Sequence, residues 1–462
     1  MSGPMALEPG GVEQETLSLR LAEPPARRDD DRTLSLKAPG TAAVDRLAAD
    51  LADRIGPAVH SYEVAALLES EGLTAEVIQE RYGHPNLFSL ASALYERVPR
   101  TYPEPPPPAD AWRPDHVRCA LRGVLFALPG LAYLLTGRLW QADRDLPVLV
   151  VAGLVSWAWG QALGHRAFLR MATGRREAGR TLLKGAPLGA LVAATAGTCL
   201  AGTGAAVVAA VAQSVYLAAA GVLLVLGRER LLLAALTPLI AGAALLRWWE
   251  PGAPVRAGLT LLALLAVVTA TGRVLKDTLA LPPAAGTPAR PPLLGSLPYG
   301  LFGLAAGVLV LIEGRQHPYA VIVLTVSMGP AEWLLYRYRG LSVAALRATG
   351  TPAAFLLRSA GVLACCLLAY LLPLVPAALL TGVDPAPLLL LAATLWTALL
   401  LQAFGVAWPP AGVCLAAAAA AGAAVLWHLP PGAAALRLCC GAATLCLTAC
   451  VLRLLGRPAQ HA

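Results

Sequence analysis

The sequence predicts an all-α, polytopic membrane protein of about twelve transmembrane helices in two sets of six, preceded by a small cytoplasmic helical bundle. Three observations carry that class. Of 462 residues, 57% are hydrophobic and only 14% are charged, and the mean hydropathy is +0.62; soluble domains carry about 25% charged residues. Apolar runs long enough to cross a bilayer follow one another almost without pause from residue 119 onward. The charge is also split along the chain. Residues 1–116 hold 11 basic and 19 acidic residues, whereas residues 117–462 hold 25 and 9. The basic surplus lies between the apolar runs, where it orients them. The overall pI near 9.1 is therefore no sign of nucleic-acid binding.

Residues 1–40 mix both charges with Pro and Gly and show no sustained periodicity, as expected of a disordered, solvated tail. They lack the basic start and short apolar core of a cleavable signal peptide. Residues 41–100 change character. Val44, Leu47, Leu51 and Ile55 recur at helical spacing, and Ser61 is a plausible N-cap for a second helix with Val64, Leu67 and Leu68. Gly72 breaks that helix, Thr74 caps a third ending at Gly83, and Asn86 opens a fourth carrying Leu87, Leu90, Ala91, Leu94 and Val98. The join around Gly72 resembles a helix-turn-helix, but residues 41–100 hold nine acids and five Arg and offer no basic face to phosphate. A docking role toward a cytoplasmic protein partner fits this bundle better. Residues 101–116, with four consecutive prolines at 105–108, form a stiff linker.

The predicted spans are 119–137, 146–164, 183–202, 205–226, 231–248 and 256–273, within a first set at 117–275. A Pro-rich loop at 276–296 separates them from 297–313, 319–336, 354–380, 387–406, 411–428 and 433–454, within a second set at 297–457. The divisions between the third and fourth spans and between the tenth and eleventh rest on only a few residues, so eleven to thirteen spans stay open. Placing both termini in the cytoplasm puts 19 basic residues of the membrane part inside and six outside, which supports even parity. The protein is thus expected in the cell membrane, multi-pass. The six Arg and Lys residues of 166–184 anchor the cytoplasmic side after the second span.

Ionisable groups inside spans mark function by default. Glu332, near the cytoplasmic end of the eighth span behind Gly329 and Pro330, is the chief candidate for substrate binding or coupling. Its competing reading is a structural salt bridge with Arg337 or Arg339, and Pro330 is expected to kink the helix. Gln161, Gln213 and Gln402 are polar residues isolated in apolar runs, suited to interhelical hydrogen bonds or to a polar path. Glu313, near Arg315 and His317, is expected to be solvated near the outer surface. Arg176, Arg180 and Lys184, four residues apart, share a helical face and are expected to touch lipid headgroups, as are Arg337 and Arg339. The nine Cys all lie at 119 or later and read as small packing residues; no metal-ligand spacing, catalytic constellation or nucleotide loop is present. No cofactor, metal or enzymatic activity is expected.

The stretch Gly174, Arg175, Arg176, Glu177, Ala178, Arg180, Leu182, Leu183 and Lys184, together with the six-plus-six count, resembles the multidrug/oligosaccharidyl-lipid/polysaccharide exporter superfamily of membrane flippases. There a Gly and polar turn precedes a Glu-Ala-basic-Leu-Leu stretch before the third span. The resemblance implies two six-helix lobes exporting a lipid-linked saccharide or polysaccharide by alternating access. The bundle at 41–100 departs from that pattern. A transporter is expected to hold a cleft between its halves lined by Gln161, Gln213, Gln402 or Glu332. The alternative is a non-transporting scaffold whose helices anchor the bundle beside a biosynthetic complex.

Overall fold

Polar caps and left-handed glycines punctuate the first part of the chain, and apolar helices of membrane-crossing length fill the rest. The computed structural model describes residues 41–100, 114–138, 142–200, 204–283, 292–429 and 434–456. The expected tail at 1–40, most of the linker and the central part of the 276–296 loop lie outside them. The chain divides into two compact units, Glu13–Ala111 and Trp112–Ala462, with residues 1–12 grouped with the second.

In the smaller unit, helices α1 (Thr41–Asp50), α2 (Ala52–Ile55), α3 (Ser61–Ser70), α4 (Ala75–Tyr82) and α5 (Leu87–Arg97) enclose Val44, Val64, Leu68, Ile78, Leu90 and Leu94. Thr74 Oγ1 accepts from Val77 N at 3.5 Å and Asn86 Oδ1 from Ser89 N at 2.8 Å, so both expected caps form. Gly72 and Gly83 take φ +75° and +71°, which end α3 and α4 where an L side chain would be strained. Two details differ from expectation. The N-cap of α3 is His60, whose Nδ1 accepts from Tyr62 N at 3.2 Å, and Ser61 is the first helical residue. The first predicted helix is broken at Leu51.

The larger unit contains α6 (His116–Ala127), α7 (Gly130–Thr136), α8 (Ala142–Met171), α9 (Arg175–Thr198), α10 (Gly204–Val225), α11 (Glu229–Ala235), α12 (Thr237–Leu245) and α13 (Ala253–Ala280). It continues with a 3-10 turn at Leu293–Ser296, then α14 (Leu297–Gln316), α15 (Pro318–Arg347), α16 (Pro352–Leu371), α17 (Leu374–Thr381), α18 (Pro385–Ala403), α19 (Trp408–Leu426) and α20 (Ala434–Leu455). Ten segments are long and apolar enough to cross a membrane, with α6–α7 and α16–α17 each counted as one broken helix. Helix α9, whose first turns are basic, and the interrupted pair α11–α12 are not among those ten; counted with them, the described segments number six before the 3-10 turn and six after it. Many large apolar side chains stand on the outside, Leu380 (88% exposed) and Leu357 (77%) among them, which suits a lipid surface. The chain is a multi-pass helical membrane protein.

The two sets of six pack by one scheme. In the first set, the first segment packs on the fifth and sixth, the second on the third and fourth, and the sixth on the third, fourth and fifth. The same pairs recur in the second set: α14 on α19 and α20, α15 on α16 and α18, and α20 on α16, α18 and α19. Each set has its own core, one around Leu223, Leu236 and Val267, the other around Trp396, Tyr338 and Leu400. Helix α18 is apolar all round and correspondingly the most enclosed.

The basic stretch at 166–184 is largely helical. Helix α8 runs to Met171, only residues 172–174 turn, and α9 starts at Arg175. Gly174, at φ +131°, makes that turn. Helix α13 likewise extends five residues into the expected 276–296 loop. Backbone hydrogen bonds continuing into the interfacial layer explain both extensions, because they satisfy polar groups a loop would leave open.

Candidate functional site

The two sets meet along a seam made of two helix crossings, α6 on α15 and α8 on α14. Each crossing pairs the first helix of one set with the second of the other, so exchange of the sets maps one crossing onto the other. Glycine brings the backbones together. A Cβ on Gly123 would lie 2.9 Å from Val326 O, and one on Gly329 would lie 2.7 Å from Cys119 O. At the other crossing a Cβ on Gly300 would lie 3.1 Å from Ala158 O, and one on Gly303 would lie 3.3 Å from Ala158 Cα. Such small-residue contacts are how helices associate without a hydrophobic drive between them. Pro330 sharpens the first crossing. It has no N–H to return to Val326 O, and that carbonyl faces Gly123. Helix α15 nevertheless runs unbroken through Pro330.

A buried ionic cluster closes the α6–α15 crossing. Arg122 on α6 donates to Glu229 at the head of α11, with Nε to Oε1 at 3.0 Å and Nη2 to Oε1 at 2.9 Å, and also to Glu332 Oε1 on α15. The side chains of Arg122, Glu229 and Glu332 are 11%, 6% and 9% exposed. Arg118, one turn earlier and half-exposed, donates to the same Glu229 oxygen at 2.8 Å. Beside the cluster Trp333 Nε1 donates to His116 Nδ1 at 2.9 Å. The guanidinium fork matches this task, since one planar group reaches two carboxylates at once. Glu229 opens α11, just ahead of the apolar run that begins at Leu231. Burial pushes its carboxyl up, but the hydrogen bond from Arg118 and the charges of Arg122 and Arg118 outweigh this and hold it below the usual carboxylate range.

The α8–α14 crossing has a neutral counterpart. The His165 ring is buried and stacks on Tyr299 with centroids 3.7 Å apart, and its Nδ1 lies 3.0 Å from Ser296 Oγ. Gln161 is buried one turn earlier on α8, its Cγ 2.8 Å from the Cβ position of Gly303.

The structure thus brings Glu332 and Gln161 to the seam, at different crossings. Gln213 is inside the first set, its Nε2 donating to Leu149 O at 3.2 Å, and Gln402 is buried at the end of α18 in the second. The four do not line one common cleft. A cavity of about 20 Å³, room for a water, lies within the first set between α8, α9 and α10 and holds the buried hydroxyls of Ser156 and Ser214. Among the headgroup candidates, Arg176 donates to Leu281 O at 3.2 Å, Arg180 pairs with Glu177 at 2.5 Å, and Lys184 continues that face up α9. Arg337 lies 5.7 Å from the Trp333 ring centre and Arg339 lies 5.3 Å from that of Phe404, so both have aromatic company.

Sequence reasoning missed three features. The partner of Glu332 is Arg122, 210 residues away, and not Arg337 or Arg339. Glu229 had drawn no attention as a loop acid. Glu313 is fully buried, with neither oxygen hydrogen-bonded among the described residues, instead of solvated. Helix α14 extends past Glu313 to Gln316 and carries the carboxyl into the second core, which the neighbouring Arg315 and His317 concealed.

The fold and the seam define a helical membrane protein of two like halves. No family model matches the chain, and no curated protein matches it. Among solved structures it is similar to a MATE point mutant, with 13% identity, a TM-score of 0.42, and 75% of this chain covering 96% of that one. It is similar also to the outward-facing conformation of a multidrug resistance MATE family transporter of the MOP superfamily, with 13% identity, a TM-score of 0.39, and 74% of this chain covering 94% of that one. The inward-facing conformation of such a transporter gives 14% identity, a TM-score of 0.38, and 74% covering 92%.

Proposed function

We propose that the protein is a secondary transporter working by alternating access, with the two sets of six helices rocking about the α6–α15 and α8–α14 crossings. The observation that carries this reading is the buried Arg122–Glu332 pair, which ties one half to the other across a seam of glycines. A fixed scaffold gains little from burying charge where apolar packing stabilises as well or better. A seam that must part and re-form has use for a bond that is geometrically exact yet separable. With both termini in the cytoplasm, the cluster closes the cytoplasmic end. The substrate class suggested by the resemblance at 166–184 is a lipid-linked saccharide or polysaccharide, exported outward. Gln161 and Glu332 are then the seam residues that substrate or coupling ion would meet as the halves part.

A cross-link tests the motion. A Cβ on Gly300 lies 3.2 Å from Ala162 Cβ, close to the separation a disulfide needs. The Ala162→Cys, Gly300→Cys pair, oxidised in vesicles loaded with a fluorescent lipid-linked saccharide, is expected to stop flux, and reductant is expected to restore it. Flux indifferent to the cross-link refutes rocking about this seam. No flux before or after, with a partner recovered on residues 41–100, favours the scaffold.

A further inference from the structure

On the far side of α11 from the ionic cluster, an open groove of about 230 Å³ runs between α11 and α13, lined by Leu231, Ala235, Ala266, Thr269, Ala270 and Arg273. We infer that this groove is a specific site for an anionic phospholipid, with one acyl chain along Ala266 and Ala270 and the headgroup phosphate on Arg273. The groove exists because α13 presents Ala266, Thr269 and Ala270 on one helical face, where no large side chain fills the gap to α11. The Thr269 hydroxyl donates to Ala266 O at 3.0 Å, within its own helix, so the groove wall offers an acyl chain only apolar surface.

The charge is at one end only. Arg273 closes the apolar run of α13 and forms no ion pair among the described residues. Arg230, exposed and adjacent to Leu231, stands on the facing helix, with Arg228 and Lys276 nearby in sequence. Glu229 does not neutralise them, because it turns inward to Arg118 and Arg122. Asp277 is the one exposed acid on this stretch of α13. An apolar channel ending in a cation at the membrane interface matches an amphiphile with a negative head. A soluble anion would leave the channel empty, and a zwitterionic lipid would bring its own cation against Arg273.

The test uses the full chain in nanodiscs of equal phosphatidylglycerol and phosphatidylcholine, released and weighed by native mass spectrometry. The expected result is one phosphatidylglycerol retained in preference to phosphatidylcholine. Arg273→Gln is expected to cut that retention about tenfold, which corresponds to 1.4 kcal/mol. Ala266→Phe, which fills the groove and keeps the charge, is expected to cut it equally. Arg347→Gln, removing a cation elsewhere, is expected to leave it unchanged. Equal retention of both lipids by the wild type overturns the proposal. So does undiminished retention in Arg273→Gln, or loss in Arg273→Gln without loss in Ala266→Phe, which would place the lipid on surface charge alone. Circular dichroism and thermal unfolding of each variant separate lost lipid from lost fold.

Discussion

Replacing Arg122 by Gln orphans Glu332, whose ion pair among the described residues is with Arg122, whereas Glu229 keeps Arg118 at 2.8 Å. Breaking a buried pair by removing one member costs about 3–5 kcal/mol, and that range is expected for Arg122→Gln. The reverse change, Glu332→Gln, leaves Arg122 bonded to Glu229 at 2.9 Å, so the loss is one charged hydrogen bond, about 1.5–3 kcal/mol. The double variant removes both charges and leaves neither orphaned. It is expected to be more stable than the sum of the single changes by about 1–3 kcal/mol. Denaturant titration in bicelles measures all three. Cys119, 4% exposed against Gly329, provides a second readout. Its alkylation, resolved by peptide mass spectrometry, is expected to rise in Glu332→Gln before global unfolding. Additive single-variant effects, or alkylation that rises only with unfolding, would refute a seam held by this pair.

Other expectations follow from the same structure. Gly329→Val forces a side chain against Cys119 O, already 2.7 Å from the Cβ position; overpacking of this kind costs about 1–3 kcal/mol, and an added rise in Cys119 alkylation is expected. Trp396→Ala empties a fully buried site in the second core and removes the donor to Ala331 O, for a loss of about 3–5 kcal/mol seen as a lowered unfolding temperature. Glu313→Gln removes a buried carboxyl that accepts no hydrogen bond among the described residues; unlike Glu332→Gln, it is expected to keep or raise stability, and a drop would show that its attraction to His317 outweighs the cost of burial. The folded-state value for Glu229 is depressed, so its contribution is complete above the ordinary value of 4.5 and fades as pH falls from there through the folded value. Glu229→Gln is therefore expected to flatten the acid limb of the pH–stability curve; an unchanged limb would detach Glu229 from it.

The spans and the bundle were legible because their signals are local. Apolar run length, the caps Thr74 and Asn86, and the breaks at Gly72 and Gly83 depend on neighbours within a few residues; the caps and breaks form as expected, and ten of the apolar runs meet the length and hydropathy of a span. Glu332 was legible as a costly group for the same reason. Its partner was not, because which helix faces α15 depends on glycines at 123 and 329 meeting across the seam. Pro330 lies within a helix that runs on unbroken from Pro318 to Arg347, and the carbonyl it leaves without an N–H donor, Val326 O, is the one that faces Gly123 across the seam. Glu313 was misjudged because flanking charges suggested a loop where helix α14 carries on. That Gln213 and Gln402 turn into their own halves and not toward the seam depends on helix rotation, which a run almost wholly apolar does not encode.

The like pairing of the two sets has a historical reading. A chain of six such helices, associating with a copy of itself, would form the seam isologously: first helix on second, and second on first, with the same residues on both sides. In the present chain the two crossings have diverged, one holding Arg122 between carboxylates and the other stacking His165 on Tyr299. Salt and acidity therefore act unequally on the two sides of a joint that is symmetric in its helix pairing, and an opening motion is free to begin at one crossing while the other still holds.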